Sequence, residues 1–270
     1  MPYRKILAAI QDAPDGADVL KAGSEIAAAA RAELVALRLV DDPWPYIEPG
    51  DVETKRAFRD NAWHRVAEAR VTDQLLELAS QATVATVDVT AAVEFGPPRD
   101  AIARAAETEH ADLVILGRPP VGASPTPRTW ALDGTLRGAR VPCLIVPPGP
   151  HAWRRFVVLS DGTVATGTVL HKAFGLAALF RSDVVVIEMA PDIERDSRKA
   201  FALWAALPGT GTFDVVSLSG DPAQKALDAA RAEYADVIVV GYPRGQGIAD
   251  QSVTARIVRG APCAVLAIPT

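Results

Sequence analysis

The residues best suited to chemistry form a glycine-rich segment in the second half of the chain. The segment runs from Gly241 to Gly247, contains Arg244 and Gly245, and is followed by Ser252 and Val253, which open a predicted helix. Glycines allow backbone N–H groups to approach an anion closely, and the N-terminus of a helix favours negative charge. The predicted chemistry is therefore binding of a nucleotide or another small anion, with Arg244 as a charged donor. A cluster of turn glycines without a ligand is the alternative interpretation.

Residues that could catalyse a reaction do not form a recognisable pattern. Ser160 precedes Asp161, but glycines do not frame it as they frame the nucleophile of a hydrolase, and the Gly-x4-Gly-Lys-Ser/Thr phosphate loop is absent. The spacing of cysteines and histidines matches no metal-binding motif. We expect no catalytic constellation, and no metal cofactor beyond the Mg²⁺ that accompanies a nucleotide. The histidines are His64, His110, His151 and His171.

The chain contains two copies of one unit. The first copy is GPPRDAIARAAETEHADLVILG, residues 96–117, and it aligns without a gap with GDPAQKALDAARAEYADVIVVG, residues 220–241. Each copy places a proline where the first turn of a helix tolerates it. Apolar residues follow at helical spacing, and a short apolar run then ends at a glycine, as in a central parallel strand. A spacing of 124 residues indicates a duplicated domain rather than a solenoid.

The order of elements predicts an α/β fold made of two tandem doubly wound domains, residues 1–149 and 150–270. Each domain is expected to contain a five-stranded parallel sheet with helices on both faces. The link between them is Pro147 to Pro150, which can neither continue a strand nor open a helix. The predicted strands are Arg4–Ile10, Glu33–Val40, Val84–Phe95, Leu113–Leu116, Cys143–Val146, Phe156–Leu159, Val184–Glu188, Phe213–Leu218, Val237–Val240 and Cys263–Ile268. Outside the repeated unit, the predicted helices are Asp18–Arg31, Glu53–Gln81, Val164–Phe180, one within Ile193–Leu207, and Ser252–Arg259.

The first copy carries a longer connection between its second and third strands than the second copy does. The residues involved are Asp41–Thr83 and Met189–Thr212. The longer connection begins with a proline-rich loop that holds Trp44 and Tyr46 beyond the carboxyl end of a strand, where open α/β sheets bind ligands. These aromatic side chains are candidates for a lid over a bound ring. Packing of the two rings within their own loop is the alternative.

Composition and charge narrow the class of protein. The net charge is −5 and no run of basic residues occurs, which argues against a nucleic-acid partner. The longest apolar runs have strand length, and the N-terminal residues do not form a signal peptide, so we expect neither a membrane partner nor export. Cys143 and Cys263 occupy the same place in the two copies, each in a predicted strand. Buried free thiols in a reducing cytoplasm are therefore expected.

The order of these motifs resembles the universal stress protein family, in two tandem copies that cover nearly the whole chain. The family pattern begins with a strand that ends in aspartate, here Asp12 and Asp161, the latter followed by Gly162. Gly-x-Pro before a helix, the runs ADLVILG and ADVIVVG, and a closing strand opened by Pro-Cys complete it. Each motif alone is weak, but their order, repeated twice, is specific.

The resemblance implies the strand order 3-2-1-4-5 and, in members that bind ATP, a nucleotide crevice between the first and fourth strands. In those members the aspartate after the first strand holds adenosine, and a Gly-x2-Gly-x9-Gly-Ser/Thr loop after the fourth strand cradles the phosphates. Carried over, the first crevice would contain Asp12 and Gly117. The second would contain Asp161, Gly162, the glycine-rich segment and Ser252. ATP or AMP is the implied ligand.

Both copies depart from this loop pattern. In the first, Gly117 is followed by Arg118 and two prolines, which lack the N–H groups that a phosphate needs. Gly134-Thr135 has suitable chemistry there only if the following helix is unusually short. In the second copy the loop is about three residues shorter than the family form. We therefore expect a degenerate nucleotide site, and the second copy retains more of the loop pattern than the first.

The resemblance makes a stress-response binding or regulatory protein without turnover the leading hypothesis. A weak ATPase or nucleotide-dependent transferase is one alternative, and a scaffold that binds no ligand is another. The apolar closing strands, Leu144–Val146 and Ala264–Ile268, are expected at sheet edges that need a partner. We predict that they pair with each other about a pseudo-twofold axis, so that one chain forms the equivalent of a homodimer. A further homodimer of the whole chain is left open.

Overall fold

The computed structural model describes residues 3–10, 15–40, 62–84, 86–95, 98–118, 127–160, 166–189, 211–245 and 251–270. The strands in these ranges are β1 Lys5–Ile10, β2 Glu33–Val40, β3 Val89–Phe95, β4 Leu113–Gly117, β5 Cys143–Val146, β6 Arg155–Ser160, β7 Asp183–Glu188, β8 Phe213–Ser217, β9 Val237–Tyr242 and β10 Ala264–Pro269. The helices are α1 Asp15–Ala30, α2 Ala62–Ala82, α3 Pro98–Thr108, α4 Pro127–Gly138, α5 Thr166–Leu179, α6 Pro222–Ala232 and α7 Val253–Gly260.

All ten strands belong to one sheet, in the order β3-β2-β1-β4-β5-β10-β9-β6-β7-β8. Each half contributes a parallel sheet of order 3-2-1-4-5, which confirms the predicted fold. The apolar runs predicted as central strands, such as Leu113–Leu116 and Val237–Val240, are buried on both faces. The molecule is an α/β protein with helices on both sides of this sheet.

The two halves join through an antiparallel pairing of their closing strands. Leu144 of β5 lies opposite Leu266 of β10, and the neighbouring pairs are Ile145 with Val265 and Cys143 with Ala267. All six residues are fully buried. The predicted pairing of the two closing strands is therefore present, and it turns two five-stranded sheets into one.

Helices cover the sheet in two apolar layers, and each layer spans both halves. One layer joins the sheet to α3, α4, α6 and α7, and the other joins it to α1, α2 and α5. Neither layer is interrupted at the junction, since strand residues from both halves occur in each cluster. The halves therefore share a continuous apolar core.

The aspartate that opens each repeated apolar run ties two strands together at their amino ends. The Asp112 carboxylate accepts hydrogen bonds from the backbone N–H groups of Arg4 (2.7 Å) and Lys5 (3.1 Å). The Asp236 carboxylate does the same for Arg154 (2.8 Å) and Arg155 (3.0 Å). These carboxylates satisfy backbone donors that precede or open β1 and β6, so the repeated aspartate has a structural role.

Four helices end in the same way, with a non-glycine residue in the left-handed region. The residues are Arg31, His110, Arg181 and Tyr234, with φ between 51° and 56°. In each case the next N–H reaches back to a carbonyl in the last helical turn, as in a Schellman motif; at Tyr234 the bond is Ala235 N–H to Ala230 O, 2.9 Å. Glycine is the usual residue at this position because it has no Cβ.

Tyr234→Gly is expected to raise the free energy of unfolding by about 1 kcal/mol, the approximate cost of the left-handed conformation for a residue with a Cβ. The tyrosine side chain is 88% exposed, so its removal loses little packing. Thermal unfolding followed by circular dichroism measures the effect. Tyr234→Ala keeps the Cβ and is the control that should bring no gain; a glycine variant no more stable than the alanine variant would contradict the prediction.

The connection between the halves packs against α1. Gly149 N–H donates to the Asp18 carboxylate (2.8 Å), and Trp153 Nε1 donates to the Glu25 carboxylate (2.7 Å). The Trp153 ring is buried and stacks on Phe180, with ring centroids 5.8 Å apart. The linker is therefore attached to both halves rather than extended into solvent.

Some element boundaries differ from prediction. The third strand begins at Val89 rather than Val84, because Val87 N–H bonds back to Val84 O (3.0 Å) in a turn. The closing strand of the second half begins at Ala264, one residue after Cys263. The helix predicted within Ile193–Leu207 and residues 53–61 of the long helix lie outside the described residues.

Candidate functional site

The second half opens a crevice between its first and fourth strands. Pairing of β6 with β9 ends at Val158 and Val239, although β6 continues to Ser160 and β9 to Tyr242. The equivalent pairing in the first half, between β1 and β4, continues one residue further, to Ala9 and Leu116. The strands that flank β6 and β9 lie on opposite sides of this pair in the sheet. Open α/β sheets bind ligands at such a point. Pairing of the first and fourth strands therefore ends one residue earlier in the second half.

Gly241 lies at the carboxyl end of β9, where close packing requires a residue without a side chain. A Cβ at Gly241 would lie 2.8 Å from Val169 Cγ2 of α5 and 3.3 Å from Thr270 Cγ2. The Gly241 carbonyl accepts a hydrogen bond from the Thr254 hydroxyl of α7 (3.3 Å). The first turn of α7 is thus attached to the end of β9, and the glycine is needed for packing whether or not a ligand is present.

The predicted anion-binding residues in the described ranges lie together at this end of the sheet. Arg244 and Gly245 follow β9 and are exposed, and Gly245 has a φ of 81°, which favours glycine. Ser252 caps α7, since its Oγ accepts a hydrogen bond from Ala255 N–H (3.2 Å), and Val253 is the first helical residue. The hydroxyl of Ser252 therefore already has a structural role.

The aspartate of the second Gly-x-Pro motif connects two helices. Asp221 caps α6 by accepting from Ala223 N–H (3.1 Å), and its carboxylate also binds the Arg256 guanidinium of α7 through both oxygens. The hydrogen bond from Arg256 is the main cause of the lowered pKa of Asp221. This pair holds α7 beside α6 on the face of the sheet next to the crevice.

In the first half, the residue after the crevice glycine points across the junction. Arg118 is 8% exposed, and its guanidinium donates to backbone carbonyls of the second half: Cys263 O at 3.0 Å, Ala261 O at 2.5 Å and Val258 O at 3.5 Å. Burial lowers the pKa of Arg118. The side chain that follows Gly117 therefore uses its donors in hydrogen bonds to backbone carbonyls of the protein. Sequence reasoning missed this role, because the partners are about 140 residues away in the chain.

The second half makes the reciprocal contact with Tyr242, the counterpart of Arg118. Tyr242 is buried, and its hydroxyl lies beside the Cys143 thiol of the first half without a well-formed hydrogen bond. Burial raises the pKa of Tyr242, and it raises the pKa of Cys143 to about 12. Cys263 is partly buried, and burial raises its pKa to about 11. Both cysteines are free thiols, as expected, although Cys263 is only partly buried; their raised pKa values keep them neutral at physiological pH.

Several predicted site residues cannot be placed. Asp12, Asp161, Gly162 and Gly247 lie outside the described residues, as do Trp44 and Tyr46 of the predicted lid. Gly117 is at the end of β4, as predicted. Thr135 is fully buried inside α4, which begins at Pro127, so the short-helix alternative for Gly134-Thr135 is wrong.

The profile of the universal stress protein family matches residues 2–147 and 191–269. The chain belongs to this family. The matched residues include both repeated units and both closing strands, so the universal stress protein fold is present twice in one chain. No curated protein matches the chain significantly.

Solved universal stress proteins share the architecture of the whole chain. A universal stress protein from Archaeoglobus fulgidus has a TM-score of 0.74 and 14% identity, with 98% of each chain covered. A putative universal stress protein from Pseudomonas aeruginosa has a TM-score of 0.62 and 19% identity, covering 99% of this chain and 93% of its own. A universal stress protein solved in complex with cAMP covers 43% of this chain with a TM-score of 0.37 and 22% identity. At these identities, the first two similarities establish the fold of this chain. The third covers too little of the chain to support any conclusion about its ligand.

The described ranges of this universal stress protein contain neither a metal-binding cluster nor a membrane-spanning helix. Among those residues, no group of three or more histidine, cysteine, aspartate or glutamate side chains is arranged to hold a metal ion. No helix in the same ranges has both the length and the apolar character needed to span a membrane.

Proposed function

We propose that this universal stress protein is a cytoplasmic stress-response binding or regulatory protein that takes an adenine nucleotide or a related phosphate-bearing anion in the second crevice, without turnover. The main support is the position of Gly241 and the first turn of α7 where β6 and β9 diverge. A helix N-terminus beside a crevice at the switch point of an α/β sheet attracts phosphate. Arg244, exposed two residues after the end of β9, supplies positive charge.

The asymmetry between the halves supports the choice of the second crevice. In the first half, Arg118 is occupied by carbonyls of the other half, and Pro119 and Pro120, which follow it, have no N–H to donate. In the second half, Pro243 also lacks an N–H, but it is followed by Arg244 and Gly245, which keep theirs, whereas Pro119 is followed by a second proline. The second loop is therefore chemically better able to bind an anion than the first.

Isothermal titration calorimetry with ATP, AMP and inorganic phosphate tests the proposal. Wild type is expected to bind one equivalent of nucleotide. Asp161→Ala should weaken binding by about tenfold or more, as expected on loss of a charge-assisted hydrogen bond. Asp12→Ala removes the aspartate that follows the first strand of the first half and is the matched control that should leave affinity unchanged.

Three results would contradict the proposal. No binding of any of the three compounds would favour a scaffold, and loss of binding in Asp12→Ala but not in Asp161→Ala would place the ligand in the wrong half. A phosphate-release assay tests the absence of turnover. ATP hydrolysis that disappears in Asp161→Ala and in Ser252→Ala would identify an enzyme instead.

A further inference from the structure

In each half, a buried residue at the carboxyl end of the fourth strand contacts the other half of the molecule. In β4 the crevice glycine is Gly117 and the next residue is Arg118; in β9 the corresponding residues are Gly241 and Tyr242. Arg118 reaches backbone carbonyls around the start of β10, and Tyr242 reaches Cys143 at the start of β5. The two contacts occupy equivalent positions, but only Arg118 makes charged hydrogen bonds.

Two of the three carbonyls that Arg118 binds belong to the C-terminal end of α7; the third, Cys263 O, lies two residues after the C-cap. Val258 is in the last turn of this helix, and Ala261 is its C-cap residue. The last carbonyls of a helix have no partner within the helix and carry its partial negative charge. A buried guanidinium is a suitable partner because it offers several N–H donors and a positive charge. Arg118 therefore completes the cap of a helix in the other half.

The opposite end of the same helix borders the second crevice. Ser252 caps the first turn of α7, and Thr254 binds the Gly241 carbonyl at the end of β9. An eight-residue helix is only about 12 Å long, so a restraint at its C-terminus also fixes the direction of its N-terminus. Within the second half, α7 is also held by the Arg256–Asp221 pair and by burial of Ala255, Ile257 and Val258 in the apolar layer. The first half thus holds one end of the helix whose other end borders the candidate ligand site.

We infer that Arg118 is a positioning residue for the second crevice: it fixes α7 from the first half and so preorganises the helix N-terminus that faces an anion. The effect on affinity rests on the proposed function, whereas the effect on α7 does not. Preorganised donors bind more tightly, because the ligand does not have to order them. A chain in which the two halves are joined through Arg118 would then bind more tightly at the second crevice than the second half could by itself.

Hydrogen exchange measured by mass spectrometry on the unliganded full-length protein tests the structural step. Arg118→Met keeps much of the aliphatic volume and removes the donors; we expect amides of α7, including Ala261 N–H, to exchange about tenfold faster than in wild type, as when charged hydrogen bonds to buried carbonyls are lost. Arg140→Met is the matched control, since the Arg140 side chain is 76% exposed and forms an ion pair with Glu107 on the surface. It should leave α7 unchanged.

The conservative variant Arg118→Lys keeps the charge but offers a single ammonium group, and it should produce a smaller increase in exchange. If Arg118→Met does not fold, Arg118→Lys is judged by the same criterion. Unchanged exchange in α7, or an increase spread evenly over the chain, would overturn the inference.

Calorimetry with ATP on the same variants tests the link to the site. Arg118→Met should weaken ATP binding several-fold and Arg140→Met should not. Equal affinity of wild type and Arg118→Met, together with faster exchange of α7, would overturn the preorganisation step. If wild type binds no ATP, the proposed function fails, and the exchange of α7 still decides whether Arg118 positions this helix.

Discussion

Leu266→Ala is expected to lower the free energy of unfolding by about 2–5 kcal/mol, the usual cost of truncating a fully buried leucine. Leu266 lies in β10 directly opposite Leu144 of β5, and both side chains are inaccessible to solvent. Because both apolar layers run through this junction, the loss is expected to affect both halves. Thermal unfolding should remain a single transition at a lower temperature, with hydrogen exchange accelerated in both halves.

Val216→Ala is the control for this variant. Val216 is also a strand residue, but it lies in the edge strand β8 and is 41% exposed. Its truncation should change stability by about 0.5 kcal/mol or less. If Leu266→Ala destabilised only the second half, so that two separate transitions appeared, the halves would not share the cooperative core that we describe.

Asp236→Ala is expected to cost about 1–3 kcal/mol of stability, since it removes one carboxylate that satisfies two consecutive backbone N–H groups. Those donors, on Arg154 and Arg155, stand where β6 begins beside β9. Alanine provides no acceptor, so the Arg155 amide, which is partly buried, keeps no good partner. Chemical denaturation measures the loss.

The equivalent aspartate of the first half provides a second test of this prediction, and an exposed aspartate provides the control. Asp112→Ala removes the equivalent carboxylate from the first half and should cost a similar amount. Asp228→Ala removes an exposed carboxylate of α6 that interacts with Gln224 and Arg231, and should change stability by about 0.5 kcal/mol or less. Equal losses in Asp228→Ala and Asp236→Ala would mean that the repeated aspartate is not a structural tie.

The repeat made most of the fold predictable. Central strands such as Leu113–Leu116 are short apolar runs next to a helix. Few structures other than a buried strand of a parallel sheet accommodate such a run. Boundaries were less predictable where local turns compete with pairing, as at Val84 and Val87. The pairing of β5 with β10 could be anticipated because both strands are apolar and would otherwise be exposed edges.

The candidate site was only partly predictable. Gly241, Gly245 and Ser252 were identified by residue type, and they do lie at the carboxyl end of β9. The type of residue did not reveal that Ser252 caps its own helix or that Gly241 is needed for packing against Val169. The role of Arg118 had no sequence signal, since a single arginine does not indicate a partner in the other half of the chain.

The antiparallel join between β5 and β10 has a consequence for how the molecule meets its surroundings. The strands of one half run opposite to those of the other, and therefore the mouths of the two crevices open toward opposite poles of the molecule. A macromolecule that covers one mouth leaves the other in contact with solvent. A single chain therefore presents its two crevices to different surroundings, one at each pole.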